Sequence, residues 1–302
     1  MIETGFALLK DVGLNLFTSF NGLILVAAVF IPFEKLFSIR PQKILRFQWK
    51  SDVVYYFLSR LISDFVLTIP FSFIILLCSF VPLDSTQAFF GGLPFAMKFA
   101  LGLLIGEFGA YWGHRFLHEV PVLWKFHAIH HAAEEMDWLV NIRVHPVETI
   151  MLKTFQFVPL FALGLVSIGS DSSSLLLVLI PLVGALWGYF IHSNIRWRFG
   201  FLEWVITTPV FHHWHHTNDS PRLYNKNYAF VLPIYDYIFG SIHLPKKDFS
   251  KTFGIKEKVP TTFLGQLMYP FESSNKKRSK SKSLQIPASE GNPEPTPKSF
   301  LP

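Results

Sequence analysis

The feature that most restricts the fold of this chain is a series of apolar segments long enough to cross a lipid bilayer. An α-helix needs about 20 predominantly apolar residues to span the hydrocarbon core. Five segments qualify, at residues 13–33, 62–83, 93–113, 150–168 and 174–192. Backbone polar groups inside a bilayer must be hydrogen-bonded within the protein, so these segments predict helices rather than open sheets.

The composition supports a membrane protein and excludes several other classes. Charged residues make up 16% of the 302 residues, whereas soluble domains carry about 25%. The net charge of +6 is modest, and no basic stripe is interleaved with exposed aromatics, so nucleic-acid binding is not indicated. The only cysteine, Cys78, lies in an apolar run. One cysteine excludes an intramolecular disulfide framework and a cysteine-ligated zinc cluster.

The Lys and Arg residues are distributed unevenly between the loops. Loop 35–50 contains five of them, whereas loops 82–92 and 167–173 contain none. Basic loops face the cytoplasm in most membrane proteins. We therefore predict that 35–50, 114–149 and 193–302 are cytoplasmic and that the bare loops lie outside.

The predicted fold class is all-α. We expect a polytopic integral membrane protein of four to five transmembrane helices, with a cytoplasmic helical cap that carries a histidine-rich di-metal site. The number of crossings stays open because segment 62–83 either crosses the membrane or re-enters it. The predicted location is the bacterial inner membrane, with the active site on the cytoplasmic side.

Four regions follow from these patterns. Residues 1–94 contain N-terminal transmembrane and interfacial helices, 95–245 the histidine-rich domain, and 246–274 a C-terminal cytoplasmic extension. Residues 275–302 are rich in Lys, Ser and Pro and poor in large apolar side chains. Such a composition cannot bury a core and predicts a disordered tail.

The twelve histidines all lie between residues 114 and 243, and most occur in three short boxes. In each box the spacing of three or four residues places the rings on one side of a helix. The boxes are HRFLH with His114 and His118, HAIHH with His127, His130 and His131, and HHWHH with His212, His215 and His216. In the third box His213 points elsewhere and is a spare member.

The histidine count favours a metal centre with two ions. Neutral imidazole suits Fe, Zn, Cu and Ni, and eight histidines exceed the four ligands of one tetrahedral zinc site. They fit two ions that each have three to five nitrogen ligands and an open position. His192, at the end of the last span, is a candidate ninth ligand. Isolated His145 and His243 are more typical of capping or hydrogen-bonding residues. The segment HEVPV lacks the second histidine of HExxH, which argues against a zincin-type protease.

The order of the three boxes resembles the fatty acid hydroxylase/sterol desaturase superfamily of membrane oxygenases over roughly residues 95–245. Three further stretches resemble the same superfamily: RVHPVE (143–148), IHSNIRWRFGFLEWVITTP (191–209) and NYAFVLPIYDYIFGS (227–241). The last two are similar to the branch that includes alkylglycerol monooxygenase and bacterial sterol desaturase family proteins.

The resemblance implies a di-iron centre that uses O2 to hydroxylate or desaturate a C–H bond of a sterol, fatty acyl or ether lipid. Zinc can replace iron in a purified sample. The implied catalytic and metal-binding residues are His114, His118, His127, His130, His131, His212, His215 and His216, with His192 as an additional metal ligand. Acidic and polar groups orient ligating imidazoles. Candidates for that role are Glu107, Asp137, Asn141, His145, Glu148 and Asp236.

Two partners are expected for such an enzyme. The lipid substrate would enter from the bilayer, and electrons would come from a separate ferredoxin or cytochrome donor, since the chain has no flavin, haem or iron–sulfur motif. An alternative class is a histidine-rich membrane metal transporter, or a metal-binding protein without oxygenase activity. Transporters usually place their ligands near the bilayer midplane, whereas these boxes fall at one membrane face. Bound iron together with O2 consumption on a lipid would separate the two classes.

Overall fold

The computed structural model describes residues 2–81, 83–167, 172–246 and 248–272. Regular structure in these residues is helical, and their one β-type pairing is an isolated bridge between Ser38 and Ile195. The α-helices are α1 (Ile2–Phe37), α2 (Trp49–Ser79), α3 (Asp84–Gly91), α4 (Phe95–Glu119), α5 (Pro121–His131), α6 (Pro146–Ala162), α7 (Ser172–His192), α8 (Pro209–His215), α9 (Ile234–Ile238) and α10 (Phe263–Met268). Short 3₁₀ turns occur at Trp138–Ile142, Gly200–Trp204, Pro221–Leu223 and Tyr269–Phe271.

The all-helical prediction is confirmed for the described residues, but fewer helices than predicted have the length and apolarity of a membrane span. Two stretches qualify, Leu14–Phe37 and Ser173–His192. A third qualifies if α3 and α4, which meet at a bend of 120°, are one broken span. Helix α6 has 17 residues and is shorter than a typical span. The predicted span 62–83 overlaps α2 as far as Ser79 and includes side chains outside the described set.

The region between the second and third predicted spans differs from the prediction of a plain loop. Residues 84–91 form helix α3, whose Asp84 lies in the first turn, where a negative charge is favoured by the helix dipole. The predicted disordered tail, 275–302, lies outside the described residues.

Glycines on α4 bring this helix into close contact with α6. A Cβ atom on Gly109 would lie 2.0 Å from the carbonyl oxygen of Phe155, and one on Gly113 would lie 3.0 Å from the Phe155 Cβ. A side chain at Gly109 would therefore push the two backbones apart. Because α4 ends with the first histidine box, this contact fixes the position of that box against α6.

A buried ion network holds the segment that follows the second histidine box. Arg143 contacts Asp52 through two nitrogens, at 2.5 and 3.0 Å. Arg46 contacts Asp52 at 2.6 Å and Asp137 at 2.9 Å. All four side chains are buried. Loss of one partner would leave an uncompensated buried charge, which is strongly destabilising. The network therefore ties α2 to the 3₁₀ turn after α5.

Local capping explains where the helices next to the histidines begin. The Thr208 side chain accepts a hydrogen bond from the Phe211 amide, and Pro209 occupies the first turn of α8. His145 caps α6 in the same way and Pro146 follows it. A cap followed by proline is a strong helix start. The start of α8 fixes the position of the turn that carries the third histidine box, and the start of α6 fixes the turn that carries Glu148.

Candidate metal centre

Four helices deliver the predicted metal ligands to one place. Helix α4 carries the first box in its last two turns, α5 ends with the second box, α7 ends with His192, and α8 carries the third box up to its C-cap, His216. The histidines occupy helix ends because each helix points its terminal turn toward the same centre.

The nine histidines form two groups, and within each group the candidate ligand atoms lie within 4.8 Å of one another. One group has five members and the other has four. All are buried except His118, which is partly exposed. The five-histidine group is His114, His118, His127, His131 and His215, and the four-histidine group is His130, His192, His212 and His216.

The two groups are direct neighbours. The rings of His131 and His216, one from each group, stack with centroids 4.2 Å apart. The rings of His127 and His130 lie 5.3 Å apart. Two ions bound at the two group centres would therefore share one site.

Backbone carbonyls fix the ring orientation of three histidines. In each case the Nδ1 atom lies at hydrogen-bond distance from a carbonyl oxygen, and a carbonyl only accepts, so Nδ1 carries the hydrogen. The pairs are His114 with Tyr228 (2.6 Å), His192 with Gly188 (2.7 Å) and His215 with Lys226 (2.8 Å). In a neutral ring the Nε2 atom is then bare: it carries a lone pair and no hydrogen.

The bare Nε2 atoms face more imidazole nitrogens than hydrogen bonds can satisfy. His192 Nε2 faces the Nε2 atoms of His130 at 3.1 Å and His212 at 2.9 Å. His215 Nε2 faces those of His118 at 3.2 Å and His131 at 3.1 Å. One ring lone pair cannot accept two hydrogen bonds well, whereas a cation satisfies all the facing lone pairs together. The donor set therefore fits a metal ion in each group.

The nitrogen separations also suit metal coordination. An imidazole nitrogen lies about 2.0–2.1 Å from a bound zinc ion. Two such nitrogens at right angles would be roughly 3 Å apart, which agrees with the observed contacts of 2.9–3.2 Å.

The electrostatic environment keeps the box histidines in the form that binds metals. Burial, reinforced by neighbouring imidazoles, lowers the pKa of each of these rings well below its usual value. This applies to His127, His130, His131, His212, His215 and His216. Neutral imidazole is the ligand form, so no proton must be displaced near neutral pH.

Of the six side chains predicted to orient the ligands, Glu148 contacts one directly. Its Oε1 atom lies 2.7 Å from His127 Nδ1, and both side chains are buried. A carboxylate behind a ligating imidazole fixes the ring and raises its basicity.

Glu107 and Asp236 act one step further away. Glu107 accepts the backbone amides of Phe230 at 2.5 Å and Val231 at 2.9 Å. Asp236 accepts the amide of Tyr228 at 2.8 Å. Both acids therefore order the segment whose Tyr228 carbonyl orients His114.

The remaining three have structural contacts. Asp137 caps the 3₁₀ turn by accepting the amides of Leu139 and Val140 and pairs with Arg46. His145 caps α6. Asn141 lies against Gly188, where an added Cβ would be 2.4 Å from the Asn141 Oδ1 atom.

His213 and His243 lie outside both groups. His213 turns away and its Nε2 lies 3.3 Å from the His192 carbonyl oxygen, while its ring packs on Phe253. The His243 ring packs on Trp214.

Two cavities reach the histidine groups. The first has a volume of about 260 Å³, lies between α4, α6 and α7, and touches His127, His130 and His192. The second has a volume of about 230 Å³ and touches four histidines together with Trp124.

Sequence reasoning considered side chains as ligand partners and so missed the orienting carbonyls. The bond to the Gly188 carbonyl could have been predicted from the sequence, because a histidine at a helix end can donate a hydrogen bond to the carbonyl four residues earlier.

Comparison with known proteins identifies the domain that contains the boxes. Residues 99–241 match the family model described as fatty acid hydroxylase. The chain is 36% identical over 185 residues to an ornithine lipid hydroxylase of Rhizobium tropici, covering 61% of this chain and 53% of the relative. It is 31% identical over 142 residues to alkylglycerol monooxygenase of Homo sapiens, covering 45% and 28%.

A third relative is the Delta(7)-sterol-C5(6)-desaturase of Nicotiana tabacum, 30% identical over 166 residues that cover 53% of this chain and 55% of the relative. The chain thus spans about half or less of the length of these curated relatives. No solved structure matches it significantly. The relatives and the apolar helices support an integral membrane protein.

Proposed function

We propose that the chain is an O2-dependent membrane oxidoreductase that hydroxylates or desaturates a C–H bond of a lipid, on the premise that residues 99–241 match the fatty acid hydroxylase family model. The observation that carries the proposal is the convergence of two groups of bare imidazole nitrogens beside a cavity lined by apolar helices. Such a cavity presents a hydrocarbon chain to the metal ligands.

The proposed cofactor is a pair of iron ions, one in each group. The five-histidine group would hold one ion and the four-histidine group the other, with the members given above. Two redox-active ions supply the electron capacity that reduction of O2 requires. Glu148 orients His127, and the carbonyl of Tyr228 orients His114, so the rings need little reorganisation when the ions bind.

The first cavity is the proposed substrate site. Apolar side chains of α4, α6 and α7, among them Leu103, Leu152 and Ile180, line it beside His130 and His192. These side chains exclude water and hold the target carbon next to the ligands. The substrate class on this proposal is a sterol, fatty acyl or ether lipid that enters from the bilayer.

The membrane arrangement and the partners belong to the same proposal. We infer four to five crossings, a cytoplasmic cap and a location in the bacterial inner membrane. The basic segment 35–50 and the segment 82–92, which has no Lys or Arg, support this orientation. A ferredoxin or cytochrome donor would then reach the site from the compartment where reducing equivalents are made.

The decisive experiment uses the purified full chain. We expect elemental analysis to give two iron ions per chain, and heavy-isotope O2 with a chemical reductant and a membrane lipid extract to yield an oxidised lipid. Hydroxylation would introduce the heavy oxygen, and desaturation would remove two hydrogens. Metal uptake into proteoliposomes without lipid oxidation would support the transporter class instead.

The orientation is tested by cysteine labelling in a Cys78→Ser background. A membrane-impermeant maleimide applied to intact cells should modify a cysteine at Ser85 and spare one at Ser220. Both should react after permeabilisation. Labelling at Ser220 but not at Ser85 would reverse the proposed orientation.

A further inference from the structure

A lysine lies in the wall of the first cavity. Lys153, on α6, is partly buried and lines the same 260 Å³ space as His127, His130 and His192. It follows Glu148, the partner of His127, by five positions on the helix. At a rise of 1.5 Å per residue it therefore lies about 7.5 Å further along α6 than the metal-proximal turn.

The Lys153 ammonium donates a hydrogen bond to a neutral group. Its Nζ atom donates to Gln156 Oε1 at 3.0 Å. An ammonium group has three N–H donors. Among the described residues no carboxylate lies within ion-pair distance of it. A lysine in an apolar setting normally faces a counter-charge or a functional cavity.

The two acids in the cavity wall are committed to other groups. Glu107 accepts the backbone amides of Phe230 and Val231, and Glu148 contacts His127. One oxygen of Glu148 has no hydrogen-bond partner among the described residues, but neither acid lies within ion-pair distance of Lys153. The positive charge therefore faces the cavity.

Lys98 is a lysine with a purely structural role in the same fold. It is 3% exposed, and its Nζ atom donates to Ser173 Oγ at 2.7 Å and to the Gly91 carbonyl at 3.2 Å. These bonds join the ends of three helices. Lys153 joins no two elements, so a structural role does not account for it.

The part of the cavity wall that α7 forms leaves room for a chain. A Cβ added to Gly184 on α7 would meet no heavy atom within 4 Å. Glycine inside a helix costs about 1 kcal/mol relative to alanine, and packing here does not require it. The cavity volume is just below the range of about 300–1,000 Å³ for ligand pockets, which suits a single alkyl chain better than a fused-ring skeleton.

We infer that Lys153 anchors an anionic group, a carboxylate or a phosphate, on a single-chain lipid whose alkyl part passes Gly184 and reaches the histidine groups. The inference rests on the proposed function, because it treats the first cavity as the substrate site. It narrows the substrate class to a lipid whose anionic group lies several bonds from the carbon that reacts.

The test measures equilibrium binding of three radiolabelled 16-carbon probes to the purified protein in phosphatidylcholine nanodiscs. The probes are palmitate, lysophosphatidate and hexadecanol. We expect the wild type to bind at least one anionic probe about tenfold more tightly than hexadecanol, as hydrogen bonds to charged groups allow. Whichever anionic probe binds better identifies the headgroup. Equal binding of all three would overturn the inference.

Matched variants test whether Lys153 causes the preference for anionic probes. Lys153→Gln should remove the preference for anions without changing hexadecanol binding or metal content, and Lys153→Arg should keep it. The exposed Lys258→Gln is the control and should behave like wild type. Gly184→Leu should weaken all three probes alike. A preference for anions that survives in Lys153→Gln would contradict the assignment.

Failure of the inference and failure of the proposed function are distinguishable. Anion-selective binding that depends on Lys153 without lipid oxidation would retain the inference and remove the oxygenase activity. Oxidation of anionic lipids at rates that are equal in wild type and Lys153→Gln, and no faster than oxidation of neutral lipids, would retain the activity and remove the inference.

Discussion

The two histidine groups differ in how firmly their rings are held. In the five-histidine group, His114, His127 and His215 each have an Nδ1 partner in Tyr228, Glu148 or Lys226. In the four-histidine group, His192 alone is held by a carbonyl. The Nδ1 atoms of His130, His212 and His216 are buried and have no hydrogen-bond partner among the described residues.

This difference indicates that two groups of histidines with the same ligand chemistry need not bind metal ions with the same affinity. Partners behind a ligating imidazole typically change metal affinity by about 10- to 100-fold. The five-histidine group also has one more ligand. We therefore expect its ion to be bound more tightly, and the ion of the four-histidine group to be the labile one.

The largest effect is expected when one ligand is removed from each group. His212→Ala leaves three ligands in the smaller group and should lose one of the two metal ions and about 100-fold or more of the activity. His131→Ala leaves four in the larger group and should retain two ions. Metal analysis and lipid turnover check this. Equal metal loss in both variants would contradict the difference between the groups.

A smaller effect is expected when an orienting group is changed while its ligand stays. Glu148→Gln keeps the shape of the side chain behind His127 but removes its negative charge. The affinity for one ion should fall about 10- to 100-fold, with the second ion unaffected. Competition with a chelator of known affinity measures the change. The exposed Glu272→Gln, which makes the same change of charge outside both cavities, is the control.

Stepwise chelation of the wild type compares the groups without mutation. One ion should leave at a chelator concentration several-fold lower than the other, and the protein that retains one ion should still show an intact His127–Glu148 pair. Metal-edge X-ray absorption during the titration would detect the loss of a four-nitrogen shell first. Simultaneous release of both ions would show that the groups act as a single unit.

His213 provides a test within α8 that separates packing from ligation. The side chain is 1% exposed and lies outside both groups, so His213→Ala should retain both ions. Because the substitution leaves a cavity beside Phe253, the free energy of unfolding should fall by about 1–3 kcal/mol. Thermal unfolding and metal analysis of the same sample check both expectations. Loss of an ion would place His213 among the ligands.

The smallest effect is expected from deletion of residues 275–302. Their composition predicts no contribution to a core, so a chain that ends at residue 274 should insert, bind two ions and turn over as the full chain does. Metal content and turnover of the truncated protein measure this. A truncated chain that inserts but lacks its metals would refute the prediction.

The convergence of the box histidines could be predicted from the sequence because it depends on local spacing. HxxxH and HxxHH put the rings on one helix face whatever the rest of the chain does. The division into five and four was not accessible, because His130 and His131 are neighbours in one box yet belong to different groups. Only the tertiary arrangement of the ends of α5, α7 and α8 decides which partner each ring meets.

The fold was predicted in part. Hydropathy identified the apolar helices α1 and α7, but it predicted a loop in the region of α3. Length and apolarity do not reveal a sharp bend such as that between α3 and α4. The roles of Lys153 and Gly184 were also not visible, since a cavity wall is a tertiary property.

The origin of the ligands in distant parts of the chain has a consequence for how the protein is made. His131 and His215, which face each other across the larger group, are separated by 84 positions. During synthesis the first two boxes leave the ribosome well before the third exists, so neither group has its full set of nitrogens until most of the domain has been translated. Loading of the proposed metal centre would therefore be a late step of biogenesis, and its timing would depend on the supply of ions after the last of these helices has docked.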